Sequence, residues 1–154
     1  MKRTTFNRAF ITMCMLVALC FTAFSFTPKV GLDSYEIYLN NKLILKQSVN
    51  QPLNLRVLQL SQASSGDELH IIYKHCSLSG GAGSNRSITL KDENGNTLKK
   101  WSFANATGTD LSMVIPVKEL LQLEKMNTAH QLSLHYAARE LYKAEETLAF
   151  LHSR

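Results

Sequence analysis

Residues 88–103 read ITLKDENGNTLKKWSF, two short apolar runs on either side of the pair Asn94-Gly95. Asn-Gly between apolar runs is the strongest short-range signal for a β-hairpin, because both residues adopt the positive φ that a two-residue turn needs. Trp101 and Phe103 fall on one face of the returning strand, and we expect both rings to pack in the core rather than to form a sugar-stacking surface. The hairpin predicts a chain built from short antiparallel strands.

Alternating apolar residues, the pattern of a half-buried strand, recur on both sides of this hairpin. A second hairpin is predicted at Asn40-Asn41, and its outer strand, 42–49, carries Lys42 and Lys46, which protect an edge strand from unwanted pairing. Further strand signals occur around residues 53–60, 69–76, 113–115, 132–136 and 148–150. Within 53–60 the alternation slips by one residue, which predicts a β-bulge, and the apolar run of 69–76 predicts a central strand covered on both faces.

One segment departs from the strand pattern. The apolar residues of 117–126 fit two turns of a helix better than a strand. About nine strands with one short helix near 117–126 predict an all-β fold, an antiparallel β-sandwich of the immunoglobulin-like or fibronectin-like type. The helix fits a connection that crosses from one sheet to the other.

The N-terminus carries a targeting signal. Three basic residues precede an uncharged, apolar run of 18 residues at 9–26. This predicts a secretory signal peptide over 1–25, with an uncleaved membrane anchor as the alternative, followed by a single domain over 26–154. A lipoprotein attached at Cys20 is a third reading, but Leu19 stands where that signal needs a small residue. We therefore expect an exported domain in the periplasm, at the cell surface or in the extracellular medium.

The charge balance argues against a nucleic-acid-binding protein. The whole chain has 17 basic and 12 acidic side chains, and without the three basic residues of 1–25 the balance falls to 14 against 12. No basic run is longer than Lys99-Lys100, and aromatic residues do not alternate with basic ones. We expect contact with a membrane only through the N-terminal segment, if that segment remains uncleaved.

The residues most suited to chemistry are His75 and Cys76, with His130 and His135 further along the chain. Imidazole and thiolate bind zinc, copper or iron, and a thiolate beside a histidine is also a nucleophile. Neighbouring strand residues face opposite ways, and the spacing matches no metal motif, cysteine-enzyme signature or G-x-S-x-G serine motif. We therefore assign no cofactor, metal or catalytic residue. A metal-binding or redox protein using Cys76 and nearby histidines is the alternative, and a small secreted hydrolase comes third.

The leading hypothesis is an exported, non-catalytic protein with a binding or structural role at the cell envelope. Its expected partner is another envelope or extracellular protein, with a glycan as the second class. Contact would be made through a sheet face, an edge strand, or the loops 77–86 and 104–110. A metal site requires Cys76 and at least two histidines to converge, whereas a binding module requires an exposed apolar patch or an open edge.

Overall fold

The fold is mostly β. The computed structural model describes residues 31–78, 81, 83–106 and 111–152, so the predicted signal peptide or anchor at 1–25 lies outside the described residues. Within these ranges the strands are β1 (Ser34–Leu39), β2 (Lys42–Ser48), β3 (Val57–Gln59), β4 (Glu68–Lys74), β5 (Ser87–Lys91), β6 (Thr97–Ser102), β7 (Ser112–Pro116), β8 (Ser133–Ala137) and β9 (Glu146–His152). The helix α1 spans Val117–Met126, and a short 3-10 helix spans Leu53–Leu55.

The strands form two sheets. A four-stranded sheet has the order β2-β1-β4-β7, and a five-stranded sheet has the order β3-β9-β8-β5-β6. All neighbouring strands pair antiparallel except β3 and β9, which are parallel. Because β7 belongs to one sheet and β8 to the other, α1 connects the two sheets, as the sequence predicts. No helix in the described ranges is long and apolar enough to cross a membrane.

The core is a single cluster of apolar side chains drawn from both sheets. Tyr35 and Ile37 of β1 and Leu134 and Tyr136 of β8 are fully buried within it. The hydroxyl of Tyr35 donates a hydrogen bond to the carbonyl of Leu148 in β9. This bond satisfies a polar group inside the core, and it also ties the four-stranded sheet to the five-stranded one.

Both predicted hairpins are present, but the second has a longer turn than the two residues expected: 92–96 lie between β5 and β6, and of the pair Asn94-Gly95 only Gly95 has positive φ. Asn40 has φ 52° in the turn between β1 and β2, and Gly95 has φ 82° in the turn between β5 and β6. The carboxylate of Asp92 accepts hydrogen bonds from the backbone N–H groups of Asn94 and Asn96. The Asp92 carboxylate therefore stabilises the turn. β2 lies at an edge of its sheet, as the two lysines predict.

The prediction of a bulged strand over 53–60 is wrong. Pro52 precedes a 3-10 turn that is closed by the bond from the backbone N–H of Leu55 to the carbonyl of Pro52, and only then does β3 begin. Leu53 and Leu55 belong to the 3-10 turn, and the slip itself lies inside β3, where Val57 faces solvent and the next residue, Leu58, is buried. Register shifts lie elsewhere, after Ile37 in β1, Leu90 in β5 and Leu134 in β8.

β4 is central, between β1 and β7, as its apolar run predicts. Cover on both faces is not observed, because burial alternates along the strand and Ile72 stays half-exposed. The strand ends at Lys74, so His75 and Cys76 lie just beyond it.

Trp101 lies on the hairpin strand β6, and Phe103 follows the end of that strand. Both rings are half-buried against the core.

Candidate functional site

His75 is buried at the end of β4 and uses both ring nitrogens inside the protein. Its Nδ1 lies 3.2 Å from a carboxylate oxygen of Asp33, and its Nε2 lies 3.1 Å from the hydroxyl of Tyr136. The hydroxyl of Tyr73 donates to the same Asp33 oxygen at 3.0 Å. A metal ion would have to displace one of these contacts to reach the imidazole.

Asp33 also controls the exposed thiol of Cys76. Burial alone would raise the pKa of the Asp33 carboxyl, but hydrogen bonds from Cys76 and Tyr73 and the nearby His75 together lower it. The ionised carboxylate accepts a hydrogen bond from the backbone N–H of Cys76 at 2.8 Å. Its hydrogen bond to the thiol raises the pKa of Cys76 above the usual range. A raised thiol pKa lowers the thiolate fraction, which is the opposite of what a cysteine nucleophile needs.

The other two histidines lie in separate places. His130 is exposed, with Nδ1 at 2.7 Å from a carboxylate oxygen of Glu93, and this hydrogen bond raises the pKa of His130. His135 lies on the face of β8 that points away from the core, and burial lowers its pKa. Within the described ranges, no group of three or more His, Cys, Asp or Glu side chains is placed to hold a metal ion. The convergence that a metal site requires is not observed there.

His135 does sit among groups that sequence reasoning missed. Its Nε2 lies 2.9 Å from the Ser133 hydroxyl, and its Nδ1 lies 3.3 Å from the Thr147 hydroxyl and 3.6 Å from a carboxylate oxygen of Glu145. The register between β8 and β9 places Thr147 opposite His135, a tertiary relationship that motif spacing does not reveal.

The order hydroxyl, imidazole, carboxylate is that of a serine hydrolase, but two features argue against this chemistry. Ser133 is only 5 % exposed, and it lies on a central strand whose backbone groups pair with β5 and β9. A nucleophilic serine needs free N–H donors beside it to stabilise the oxyanion. Thr147 is also closer than Glu145 to Nδ1 of His135. We therefore interpret these contacts as a structural polar row on the sheet surface.

The loop 77–86, described here except for residues 79, 80 and 82, is joined to its neighbours. Arg86 is buried, and its guanidinium donates to the carbonyls of Ala104 and Leu111. Arg86 is thus occupied by backbone carbonyls, and it does not offer a phosphate-binding group. The backbone N–H of Asn85 donates to the Asn105 side-chain oxygen at 2.9 Å, which links this loop to the described part of 104–110.

A third loop, 138–145, meets the same end of the fold. The backbone N–H of Ser84 donates to one carboxylate oxygen of Glu140 at 2.8 Å, and the Ser84 hydroxyl donates to the other. At the far end of the loop, Lys91 forms an ion pair with Glu145. Between these two attachments, Tyr142 is fully exposed. Sequence analysis did not single out this loop, because its role depends on contacts with residues more than fifty positions away.

An apolar patch lies on the 3-10 helix and the first residue of β3. Leu53, Leu55 and Val57 are 48 %, 54 % and 37 % exposed, and these three side chains form what we call the 53–57 patch. Val57 lies in register with Phe150 of β9, a half-buried ring on the same sheet face. Single exposed leucines are ordinary, but three large apolar side chains within five residues are a feature of interaction surfaces.

Arg56 holds this patch in place. Its guanidinium is buried, donates to the carbonyls of Val49 and Gln51, and forms an ion pair with Glu146 at 2.8 Å. The guanidinium carbon also lies 6.0 Å from the centre of the Tyr35 ring. Because Arg56 points inward, the side chains on either side of it in sequence, Leu55 and Val57, are left facing outward.

A groove along α1 completes the surface features. It is lined by Ser65, Lys118, Leu121, Gln122, Glu124, Lys125 and Thr128. Apart from Leu121 and Glu124, these residues are exposed, so the groove has no buried polar group to orient a ligand.

Comparison of the chain with protein-family models, curated proteins and solved structures gave no match. The function must therefore be inferred from the 53–57 patch and from the three joined loops.

Proposed function

We propose that this chain is an exported, non-catalytic β-sandwich that binds another protein of the envelope or extracellular space through the 53–57 patch. The patch is the observation that carries the proposal, since a binding module requires an exposed apolar surface. Export is inferred from the sequence of residues 1–25. No contact within the described ranges favours the metal-binding alternative.

The sandwich architecture is supported by the core, to which both sheets contribute buried side chains. An immunoglobulin-like type is supported by the strand order. In such folds strands B and E share one sheet, while C, F and G share the other, with C′ beside C. Here β4 and β7 are neighbours in one sheet, and β6-β5-β8-β9 follows the order C′-C-F-G in the other. The outer strand β2 and the helix α1 are additions to that plan.

A protein partner is supported by what surrounds the patch. The exposed polar residues that adjoin the patch in sequence are uncharged amides: Asn50, Gln51, Asn54 and Gln59. An apolar centre with a polar, neutral rim is the usual anatomy of a protein–protein interface, whereas surfaces that lie on anionic membranes are rich in lysine and arginine. The nearby Lys46 is already paired with Glu36 at 2.9 Å.

The position of the patch also suits binding. The patch continues into β3, an edge strand of three residues that is paired on one side by β9. Arg56 ties this segment to the carbonyls of Val49 and Gln51 and to Glu146 of β9. Because the segment is already held, little conformational freedom is lost when a partner covers Leu55 and Val57. The hydrogen bond from the Gln47 side chain to the carbonyl of Leu55 further joins this segment to β2.

Photo-crosslinking in the producing cells tests the proposal. A benzophenone amino acid replaces Leu55 in one variant and Met126 in the control, whose side chain is 80 % exposed at the end of α1. We expect a discrete adduct with one protein at position 55 and none at position 126, and loss of that adduct when Leu53→Ser is added. An absent adduct at position 55, or the same adducts at both positions, would contradict a binding role for the patch.

A further inference from the structure

We propose that the three joined loops form a binding site for an acidic carbohydrate. The site, which we call the loop end, consists of the exposed side chains of Asn85, Asn105, Arg139, Tyr142 and Lys143. It shares no residue with the 53–57 patch, so this inference does not depend on the proposed protein partner.

The loop 138–145 is held before any ligand arrives. The backbone N–H of Arg139 donates to the carbonyl of Ser84 at 3.0 Å, and both oxygens of Glu140 accept hydrogen bonds from Ser84. Glu145 is held at the other end by Lys91. A loop fixed at both ends pays less conformational entropy on binding than a free one, which favours the use of its tip for recognition.

Tyr142 supplies an aromatic surface at that tip. Its ring is fully exposed, and no other large apolar side chain in the described parts of these three loops is exposed with it. The C–H groups of a sugar ring pack on the electron-rich face of an aromatic ring, and the phenol hydroxyl remains available for a hydrogen bond. A lone exposed ring among polar groups fits a hydrophilic ligand better than an apolar protein surface.

Amide and guanidinium groups accompany the ring. The side chains of Asn85 and Asn105 offer both donors and acceptors, the combination that sugar hydroxyls need. The Asn85 backbone N–H donates to the Asn105 side-chain oxygen, which brings the two residues together, and Asn85 directly follows Ser84, which contacts Glu140. The contacts of Ser84 with Glu140 thus join the loop that carries Asn85 to the loop that carries Tyr142.

The charge of the loop end selects an acidic sugar. Arg139 is exposed and has no ion-pair partner among the described residues, and Lys143 lies 3.7 Å from a carboxylate oxygen of Glu146 at the rim. Guanidinium binds carboxylate through two parallel hydrogen bonds, so a uronic-acid carboxylate fits Arg139. The carboxylate of Glu145 is paired with Lys91, whereas Glu140 accepts hydrogen bonds from Ser84 and keeps its negative charge. The attraction for an acidic sugar therefore comes from Arg139 and Lys143.

Affinity electrophoresis of the purified exported protein tests the inference. The gels contain polygalacturonate, neutral dextran or polyglutamate. We expect retardation by polygalacturonate alone, weakened about tenfold by Tyr142→Ala and by Arg139→Gln. Met126→Ala and Lys125→Gln, at the exposed end of α1, serve as matched controls and should retain the wild-type retardation.

Four outcomes would overturn the inference. Equal retardation by dextran would remove the role of the acid, and equal retardation by polyglutamate would replace carbohydrate recognition with simple charge attraction. No retardation by polygalacturonate, or equal weakening by the α1 controls, would show that the loop end is not the site. All four variants alter exposed side chains, so thermal unfolding should confirm that each remains folded.

Discussion

Asp33 and His75 are in contact across 42 positions of sequence, with a carboxylate oxygen 3.2 Å from Nδ1. Because the carboxylate accepts, Nδ1 donates to it, while Nε2 on the other side of the ring lies 3.1 Å from the hydroxyl of Tyr136. Burial raises the pKa of Tyr136 well above its usual range, so this hydroxyl keeps its proton. The hydrogen-bonded side chains of Asp33, His75 and Tyr136 thus connect the residues beside the start of β1 and the end of β4 to β8 in the other sheet.

Replacing Asp33 with Asn should weaken this network and release the thiol. Asn offers one acceptor fewer to the four donors that Asp33 serves, which should cost about 1–2 kcal/mol of unfolding free energy in urea titrations. Loss of the negative charge should lower the pKa of Cys76, because Asp33 is the group that raises it. Disulfide-exchange reagents at neutral pH should therefore react faster with the variant than with the wild type.

Glu93→Gln is the matched control for this change. Glu93 also accepts from a histidine, but it is exposed and contacts exposed His130. We expect unchanged thiol reactivity and little change in stability. If Asp33→Asn leaves both stability and thiol rate at wild-type values, the contact with His75 does not stabilise the fold.

Gly83 should not tolerate a side chain. A Cβ at this position would lie 2.8 Å from the Tyr136 hydroxyl and 2.9 Å from Nε2 of His75, inside the contact distance of both. Gly83→Ala should therefore lower the unfolding free energy by about 1–3 kcal/mol. Gly66→Ala, where no atom lies within 4 Å, should be neutral or slightly stabilising in the same denaturation series. Equal effects of the two variants would contradict close packing at Gly83.

His135 and His130 should contribute to acid stability with opposite signs. Burial lowers the pKa of His135. At pH values below about 6.5, the pKa of an unfolded histidine, the unfolded chain therefore binds more protons than the folded one. The free energy of unfolding consequently decreases as the pH is lowered. The bond to Glu93 raises the pKa of His130, so its stabilisation is present at acid pH and lost as pH rises through the folded pKa.

Thermal unfolding between about pH 5 and pH 8 separates the two histidines. His135→Gln should flatten the decline of the melting temperature below about pH 6.5, and His130→Gln should steepen it. A slope that is unchanged in both variants would show that neither histidine is perturbed by its folded surroundings.

The sequence predicts the local features of this fold better than the tertiary ones. Asn40 and Gly95 identify their turns because a positive φ is a property of the residue itself. The slip of alternation between Val57 and Leu58 predicts a bulge, since the pattern does not distinguish one irregular strand from a 3-10 turn followed by a strand. The inward direction of Arg56 could not be predicted, because its partner Glu146 lies 90 positions away. The His75 cluster and the polar row around His135 depend on similar long-range contacts.

Arg56 gives the sharpest test of how the 53–57 patch is held. Arg56→Met removes a buried cation, leaves Glu146 without its nearest partner and leaves the carbonyls of Val49 and Gln51 without a donor. We expect a loss of about 3–5 kcal/mol in urea unfolding, because an unpaired buried charge costs more than the pair itself contributes. Lys46→Met, which breaks an ion pair whose lysine is 66 % exposed, should cost at most about 1 kcal/mol.

The double variant Arg56→Met with Glu146→Leu separates charge from backbone support. Removing Glu146 as well relieves the uncompensated charge, so the double variant should be more stable than Arg56→Met alone. It should not return to wild-type stability, because the carbonyls of Val49 and Gln51 still lack the donor that Arg56 supplied. Full recovery would mean that Arg56 serves only to neutralise Glu146, and the segment that carries Leu53 and Leu55 would then keep its position without it. Partial recovery, with weaker crosslinking at position 55, would show that the same guanidinium stabilises the fold and positions the patch.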